Sequence, residues 1–527
     1  MNLGRFFRSM LRPLPDDALA LQLHASLPAA PAGGGGARVL VQCVEDPYYL
    51  GLFAHVCAAL RRHSPAISAE LFVPRSFNVG VGTDWKLNLL RIFPLARVFA
   101  NQWVRAYSIV ARRVGYRSTS LRHPLGDLLD ALRAWRAWSA LRSTAELEAL
   151  AVDGIVCGDL VIDSYLRFRP SPQVRLRDPF LLYVLWQAHR DVRRAQRYFD
   201  QARPALYLTS YSTYVQHGVA ARVALRRGTR VVSFGNFQEF GKFLERDDPF
   251  HTRRATGYRA DFESLPGKDG LLARAESQLE LRLSGGIDSA TSYMAASAYG
   301  GGVRDVPPVQ GAVVVFLHDF YDSPHVYADL VFPDFWEWIC FTIETLRSAS
   351  IPFVIKPHPN QIALSDGVIV SLRERFPDMR LLPSGVSNRQ LVDGGIACAV
   401  TVYGTVAHEM AFLGIPTIAC ARHPHIAFDF CRTARTREAY EGLLRESGRA
   451  RSDTATLRAQ ALQFYVMHNL ALSAEDIELR DATIAVWRLC HDRATPPATI
   501  VREFARLAAL PGFSGFAQRM LTAAGIE

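Results

Sequence analysis

The sequence predicts an α/β fold built twice, as two parallel-sheet domains facing across a cleft. Three observations carry that expectation. Short apolar runs alternate with helical patterns in two successive series, one starting near Arg38 and one near Ala312. The runs are apolar throughout, as strands covered on both faces are. The length of 527 residues also exceeds what one ordinary core accommodates.

Taken in order, Ala32 to Gly36 is a glycine-rich linker, so the folded chain is expected to begin near Ala37. Arg38 to Val44 reads as a strand that breaks at Glu45-Asp46-Pro47 into a helix through Leu52, Val56 and Leu60. Strands follow at 154–157, 205–209 and 230–234, with an arginine-rich helix over 180–203. The pattern weakens from about Thr252 to Gly302. The second series then gives strands at 312–317, 352–355, 379–382, 397–401 and 416–420, and a helix over 335–349. The expected layout is a tail over 1–36, a first Rossmann-like domain over 37–265, a connection over 266–310, a second Rossmann-like domain over 311–473, and closing helices over 474–527. In such sheets ligands sit beyond the carboxyl ends of the strands.

Composition narrows the function classes. Hydrophobic residues make up 49% and charged residues 21%, the balance of a globular protein. The net charge of +10 favours anionic partners, but the arginines are scattered and no nucleic-acid signature occurs, so nucleic acid is not expected as a partner. The eight cysteines form no CxxC pair and read as small buried hydrophobes in a reducing, cytoplasmic setting. No uninterrupted apolar run reaches the roughly 18 residues of a spanning helix. The first residues, with Phe6, Phe7, Met10 and Leu11 set among Arg5, Arg8 and Arg12, fit either a basic amphipathic helix on the inner face of an anionic membrane or a frayed tail.

The chemistry concentrates in the second series. Val354 to Asn360 delivers Lys356 and His358 to a strand end, with Pro357 and Pro359 fixing the backbone. A cation beside an imidazole suits a phosphate or carboxylate. After strand 397–400, the turn Thr401-Val402-Tyr403-Gly404-Thr405 leads into a helix, where backbone N–H groups favour phosphate. Thr405 is expected to cap that helix. Glu409, one turn on, is a carboxylate in an otherwise apolar helix and costly to bury without a partner; in nucleotide-sugar enzymes a glutamate so placed accepts from ribose hydroxyls, which is the expected role. His408 reads as structural. No metal or cofactor is expected, because no carboxylate or histidine cluster has ligand spacing.

Strand-Lys-Pro-His-Pro, then a Gly-Thr turn, a helix bearing Glu and Gly414-Ile415-Pro416 before a strand, together resemble the carboxyl-terminal domain of GT-B glycosyltransferases. More narrowly, the chain resembles bacterial capsule and lipopolysaccharide biosynthesis proteins, including the His-Pro-motif CMP-Kdo and CMP-sialic acid transferases. That resemblance implies a nucleotide-sugar donor, CMP-Kdo first, transferred to a glycan or glycolipid acceptor. It implies that His358, Pro359, Thr401, Gly404 and Thr405 hold the donor phosphate. His318 and Asp319, in the segment ending at His325, and Gly158 to Arg167 extend the likeness. The chain departs from sialyltransferases in lacking a clear paired-carboxylate-glycine motif for the base. Acceptors bind the amino-terminal domain in this fold, so Asp159 and Asp163 are the expected bases, with Asp319 and His217 as alternatives. A nucleotide-sugar epimerase of the same fold and a non-catalytic export partner are the rival functions.

Two further motifs compete. Ser284-Gly285-Gly286-Ile287-Asp288-Ser289 resembles the pyrophosphate loop of ATP pyrophosphatases, but it follows an apparently exposed helix rather than a buried strand. Phe332 to Trp338 reads as one buried helix face, with stacking on sugar rings as the alternative.

Overall fold

The computed structural model describes residues 17–29, 36–73, 103, 106–110, 117–118, 124–291, 303–358, 361–449 and 453–526. It divides into two compact units, one of residues 1–169, 175–252 and 473–527 and one of residues 170–174 and 253–472.

The first unit holds β1 (Arg38–Gln42), β2 (Ser68–Phe72), β3 (Arg117–Ser118), the short antiparallel hairpin β4 (Ala151–Val152) and β5 (Ile155–Val156), then β6 (Leu206–Thr209), β7 (Arg230–Ser233) and β8 (Lys242–Leu244). The sheet order is β3-β2-β1-β6-β7-β8, parallel except for β8. This is a doubly wound order that reverses direction between β1 and β6. β1 stops where Asp46 accepts from the Tyr48 N–H at 2.8 Å and Pro47 opens helix Pro47–His63. That helix is buried along nearly its whole length, because it lies between the sheet and the closing helices. Gly51 allows the approach: a methyl group there would sit 2.2 Å from the Phe504 ring.

The second unit holds β9 (Val313–Phe316), β10 (Phe353–Lys356), β11 (Cys398–Val400), β12 (Thr417–Ala419) and β13 (Cys431–Thr433), all parallel, in the order β10-β9-β11-β12-β13. A parallel bridge from Leu381 to Ile355 adds a further edge beside β10. Both units are therefore Rossmann-like, and the second reverses direction between β9 and β11.

Several boundaries differ from the sequence expectation. Helix Asp17–Ser26 belongs to the fold, since Leu19, Ala20, Leu23 and Leu27 are buried in the first core. The basic stretch before it and most of the glycine linker lie outside the described residues. The closing helices pack within the first unit, with Phe504, Phe513 and Phe516 in its core. Residues 268–283, expected to connect the domains, form a helix of the second unit. Segment 154–157 gives only half of the β4–β5 hairpin, and 379–382 gives a single bridge.

The Ser284-Gly285-Gly286 stretch is a helix terminus. Gly285 N–H bonds to Arg282 C=O at 3.1 Å and Gly286 N–H to Leu281 C=O at 2.8 Å, a Schellman pair, with Gly285 at φ +94°. These N–H groups close the helix, so the phosphate-loop resemblance fails. Phe335 and Trp338 are buried, as the helix-face reading expected.

All eight cysteines are free, seven of them buried. Among the described residues no helix is long and apolar enough to cross a membrane.

Candidate functional site

The carboxyl ends of β9, β10 and β11 bring most of the expected donor-binding residues together. His318 follows β9 and Thr401 follows β11, and His318 Nε2 lies 3.1 Å from Thr401 Oγ1 where the strand order reverses. Thr401 Oγ1 also accepts from the Gly404 N–H at 3.1 Å, which pins the turn. The His318 ring stacks on Phe335 at 5.0 Å and meets Tyr403 at 4.6 Å. Burial pushes His318 down to about 3, with His358 adding to the shift, so the ring is neutral near pH 7.

Lys356 ends β10. Its ammonium donates to Ser384 C=O at 3.2 Å and is nearly buried. Desolvation lowers it to about 8, partly opposed by the negative charge of Glu409. His358 is half-buried. Its basicity is lowered by burial and by Lys356, against the pull of Asp319 and Asp322. Pro359 lies outside the described residues.

Asp319 is a brace. One oxygen accepts from Tyr321 N–H at 3.1 Å and Ser365 Oγ at 2.9 Å, and the other from Ile362 N–H at 2.9 Å. It ties the β9 loop to the segment that follows the Lys-Pro-His motif, and its oxygens are committed to that loop rather than presented as a base.

Gly404 is required by space. A methyl group there would lie 2.9 Å from Thr401 Oγ1 and 3.6 Å from the His318 ring. Gly404→Ala is expected to push Thr401 off His318 and cost about 1–3 kcal/mol, read as a lower urea midpoint with unchanged slope. An unchanged midpoint would mean that the turn yields without strain.

Two expectations need correction. Thr405 does not cap helix Val406–Phe412 with its side chain; its hydroxyl accepts from Arg282 Nη2 at 3.1 Å. Glu409 does not face a ribose. It is 0% exposed, with one oxygen 2.8 Å from Arg282 Nη2 and the other accepting from Asn388 Nδ2 at 2.7 Å. A fully enclosed carboxylate with a cation and an amide as partners has no face to offer a ligand. Arg282 and Asn388 were missed in the sequence, although Arg282 continues the buried stripe of Ala275 and Leu279, where a charge demands a counter-charge.

In the first unit, the expected bases are not available to a ligand. Both Asp159 oxygens take the two-pronged guanidinium of Arg222, which also donates to Val156 C=O at 2.8 Å. Asp163 is 1% exposed inside helix Gly158–Phe168.

Among the described residues no group of three or more His, Cys, Asp or Glu side chains could hold a metal ion. No family model and no curated protein matches the chain. Similar solved structures include the UDP-GlcNAc 2-epimerase of Methanocaldococcus jannaschii in complex with UDP-GlcNAc and UDP, at 8% identity over 80% of this chain and 97% of that one, with a TM-score of 0.26. A spinosyn rhamnosyltransferase matches at 12% identity over 89% and 100%, with a TM-score of 0.22. The UDP-GlcNAc 2-epimerase of Neisseria meningitidis bound to UDP-GlcNAc matches at 10% identity over 86% and 99%, with a TM-score of 0.23. The fold assignment rests on the strand order of each sheet.

Proposed function

We propose that the protein is a nucleotide-sugar-dependent glycosyltransferase whose second unit binds the donor. The observation that carries this reading is the meeting of His318, Thr401 and Gly404 at the reversal point of a parallel sheet, with Lys356 and His358 following at the end of the neighbouring β10, where His358 bears on His318 electrostatically. Lys356 supplies positive charge there, and two neutral imidazoles supply N–H groups. As the bond from sugar to phosphate breaks, negative charge gathers on the nucleotide, and fixed donors of this kind stabilise it. Arg282 holds Thr405 by its hydroxyl, and the charge of Glu409 favours the protonated Lys356.

From the His-Pro resemblance, the donor is a CMP-linked acid sugar, Kdo before sialic acid, and the acceptor a bacterial surface glycan or glycolipid. The place of work is the cytoplasm, at the inner face of the membrane. The nucleotide sugar is a substrate, and neither a metal nor a further cofactor enters this reading.

The test is thermal unfolding of the purified protein with CMP, CDP, UDP, GDP and ADP, repeated with His358→Ala. One nucleotide should stabilise the protein by about 2.7 kcal/mol at a hundredfold excess over its dissociation constant, and the variant should lose that gain. No shift with any nucleotide would overturn the reading. Conversion of the nucleotide sugar without any acceptor would replace transfer by epimerisation.

A further inference from the structure

Helix Pro124–Ala140 of the first unit is packed inside out. In a surface helix the apolar stripe ordinarily faces the core and the charges face water. Here Asp127 and Asp130 turn inward, and Arg193 takes both, at 2.9 and 2.6 Å. Asp130 and Ala134 are 0% exposed, and the Trp186 indole N–H donates to Asp127 C=O at 2.9 Å. Gly126 keeps the approach close, since a methyl group there would sit 2.7 Å from the Arg193 guanidinium.

The opposite side carries Leu128, Leu129, Leu132 and Trp135, exposed by 69, 58, 44 and 52%. Spacings of four and three put Leu128, Leu132 and Trp135 in one row, and Leu129 widens it. Single exposed leucines are ordinary. Four of the ten large hydrophobics that the described residues expose, gathered on one helix face, are not.

Charge says what meets that face. From Leu128 to Arg142 the outward charged residues are all arginines, namely Arg133, Arg136 and Arg142. The acids close by are engaged: Asp153 lies 3.9 Å from Arg133, and Glu146 accepts from the Arg142 backbone N–H at 2.7 Å. Arg177 adds a further cation at the helix end, donating to Trp138 C=O at 2.9 Å and Leu141 C=O at 3.0 Å. The chain leading into the helix, residues 85–126, holds eight Lys and Arg and no Asp or Glu. A second copy would set arginine against arginine here. A helix about 25 Å long and 10 Å across also falls far short of the roughly 800 Å² per partner that a stable pair buries. A bilayer of anionic lipid meets both features at once. Its phosphates take the guanidiniums, its acyl region takes the leucines, and an indole suits the level between.

We propose that helix Pro124–Ala140 docks the protein on an anionic lipid bilayer, lying in the interface with Leu128, Leu129, Leu132 and Trp135 in the lipid. This names a contact surface for the membrane placement in the transferase reading. The docking needs no nucleotide, so its failure and the failure of that reading are separate results.

The experiment is co-sedimentation of the full chain with vesicles of phosphatidylcholine alone or with one-third phosphatidylglycerol, in the absence of nucleotide. The anionic vesicles should bind the protein about tenfold or more tightly than the neutral ones, and high salt should remove the difference. Leu128→Ser combined with Leu132→Ser should lower the partition coefficient by about 10–100-fold. Arg136→Glu should lower it by about tenfold on the anionic vesicles only. Both variants should keep the parent's thermal midpoint, because the altered side chains are exposed in the free protein. If the double variant unfolds, Arg136→Glu decides. No binding by the parent, equal binding to both vesicle types, or parent-level binding by the folded variants would overturn the proposal. So would a dimer of the parent in sedimentation velocity that Leu132→Ser dissolves, since a second copy would then cover the face.

Discussion

Replacing Arg282 with alanine is expected to destabilise the second unit by about 3–5 kcal/mol, the range for removing one partner of a buried ion pair. Arg282 is 4% exposed, between Glu409 at 2.8 Å and Asp288 at 3.7 Å. It also reaches Thr405 Oγ1 at 3.1 Å. Asp288 is itself held by Thr291 N–H at 3.0 Å and by the Tyr465 hydroxyl. Without the guanidinium, two enclosed carboxylates lose the cation beside them, while Glu409 keeps the Asn388 amide at 2.7 Å. For a unit of this size, about 3–5 kcal/mol corresponds to a fall in Tm of roughly 10 °C. Differential scanning calorimetry of Arg282→Ala measures it. Arg282→Met combined with Glu409→Gln should recover part of the loss, because the Glu409 charge is then no longer stranded while that of Asp288 still is. A single variant within about 1 kcal/mol of the parent would mean that water reaches these carboxylates. The same change should weaken nucleotide binding, since Arg282 fixes the turn that carries Thr405.

How far the sequence could be read follows from the range of the forces involved. Strands β1, β6, β7, β9, β10, β11 and β12 were legible because each is a continuous apolar run, buried on both faces. β2, with Glu70 at its centre, and the two-residue β3 carry no such run; pairing defines them, β2 against β1 and β3 against β2. Within the site, Lys356, His358, Thr401 and Gly404 were legible because a strand end followed by a Pro-rich or small-residue turn is a local pattern. The role of Glu409 was not, because it depends on Arg282, 127 positions earlier, and the sequence does not say which cation meets which carboxylate. Gln42, buried at the end of β1, escaped notice for the same reason: its partners Thr209, Ser210 and His217 come from strands and turns far along the chain.

Acid should unfold this protein well above the pH at which carboxylates protonate. Three histidines of the second unit form one buried chain. His408 Nδ1 lies 3.1 Å from His425 Nε2, His425 Nδ1 lies 3.0 Å from His423 Nδ1, and His423 Nε2 lies 2.9 Å from Thr433 Oγ1. His423 Nδ1 also accepts the His425 backbone N–H at 3.1 Å, so it is a lone pair and its proton sits on Nε2. The protons then run one way, from His408 to His425, from His425 to His423, and from His423 to Thr433. An added proton on His423 or His425 would set two N–H groups face to face. Arg282 and His468 repel a proton on His408. Burial accordingly holds His408 and His425 well below the ordinary 6.5 and His423 at about 3. With the native values depressed, stability is full above about pH 6.5 and is lost as pH falls, because the unfolded chain takes up protons that the native state refuses. Three such groups give a limiting slope of about 4 kcal/mol per pH unit and a loss of about 6 kcal/mol between pH 7 and pH 5. Asp334 works in the opposite sense, since burial raises it to about 6 and acid then favours its native form, but it stands against these three and against His318 and His468, each lowered to about 3 by burial. Urea midpoints at pH 7, 6 and 5 measure the slope. His425→Phe, which keeps a ring 4.3 Å from Phe464, should lower that slope by one group's share, about 1.4 kcal/mol per pH unit. A midpoint flat from pH 7 to pH 5 would show that the chain accepts protons in the folded state, and the one-way arrangement of its hydrogens would then be wrong.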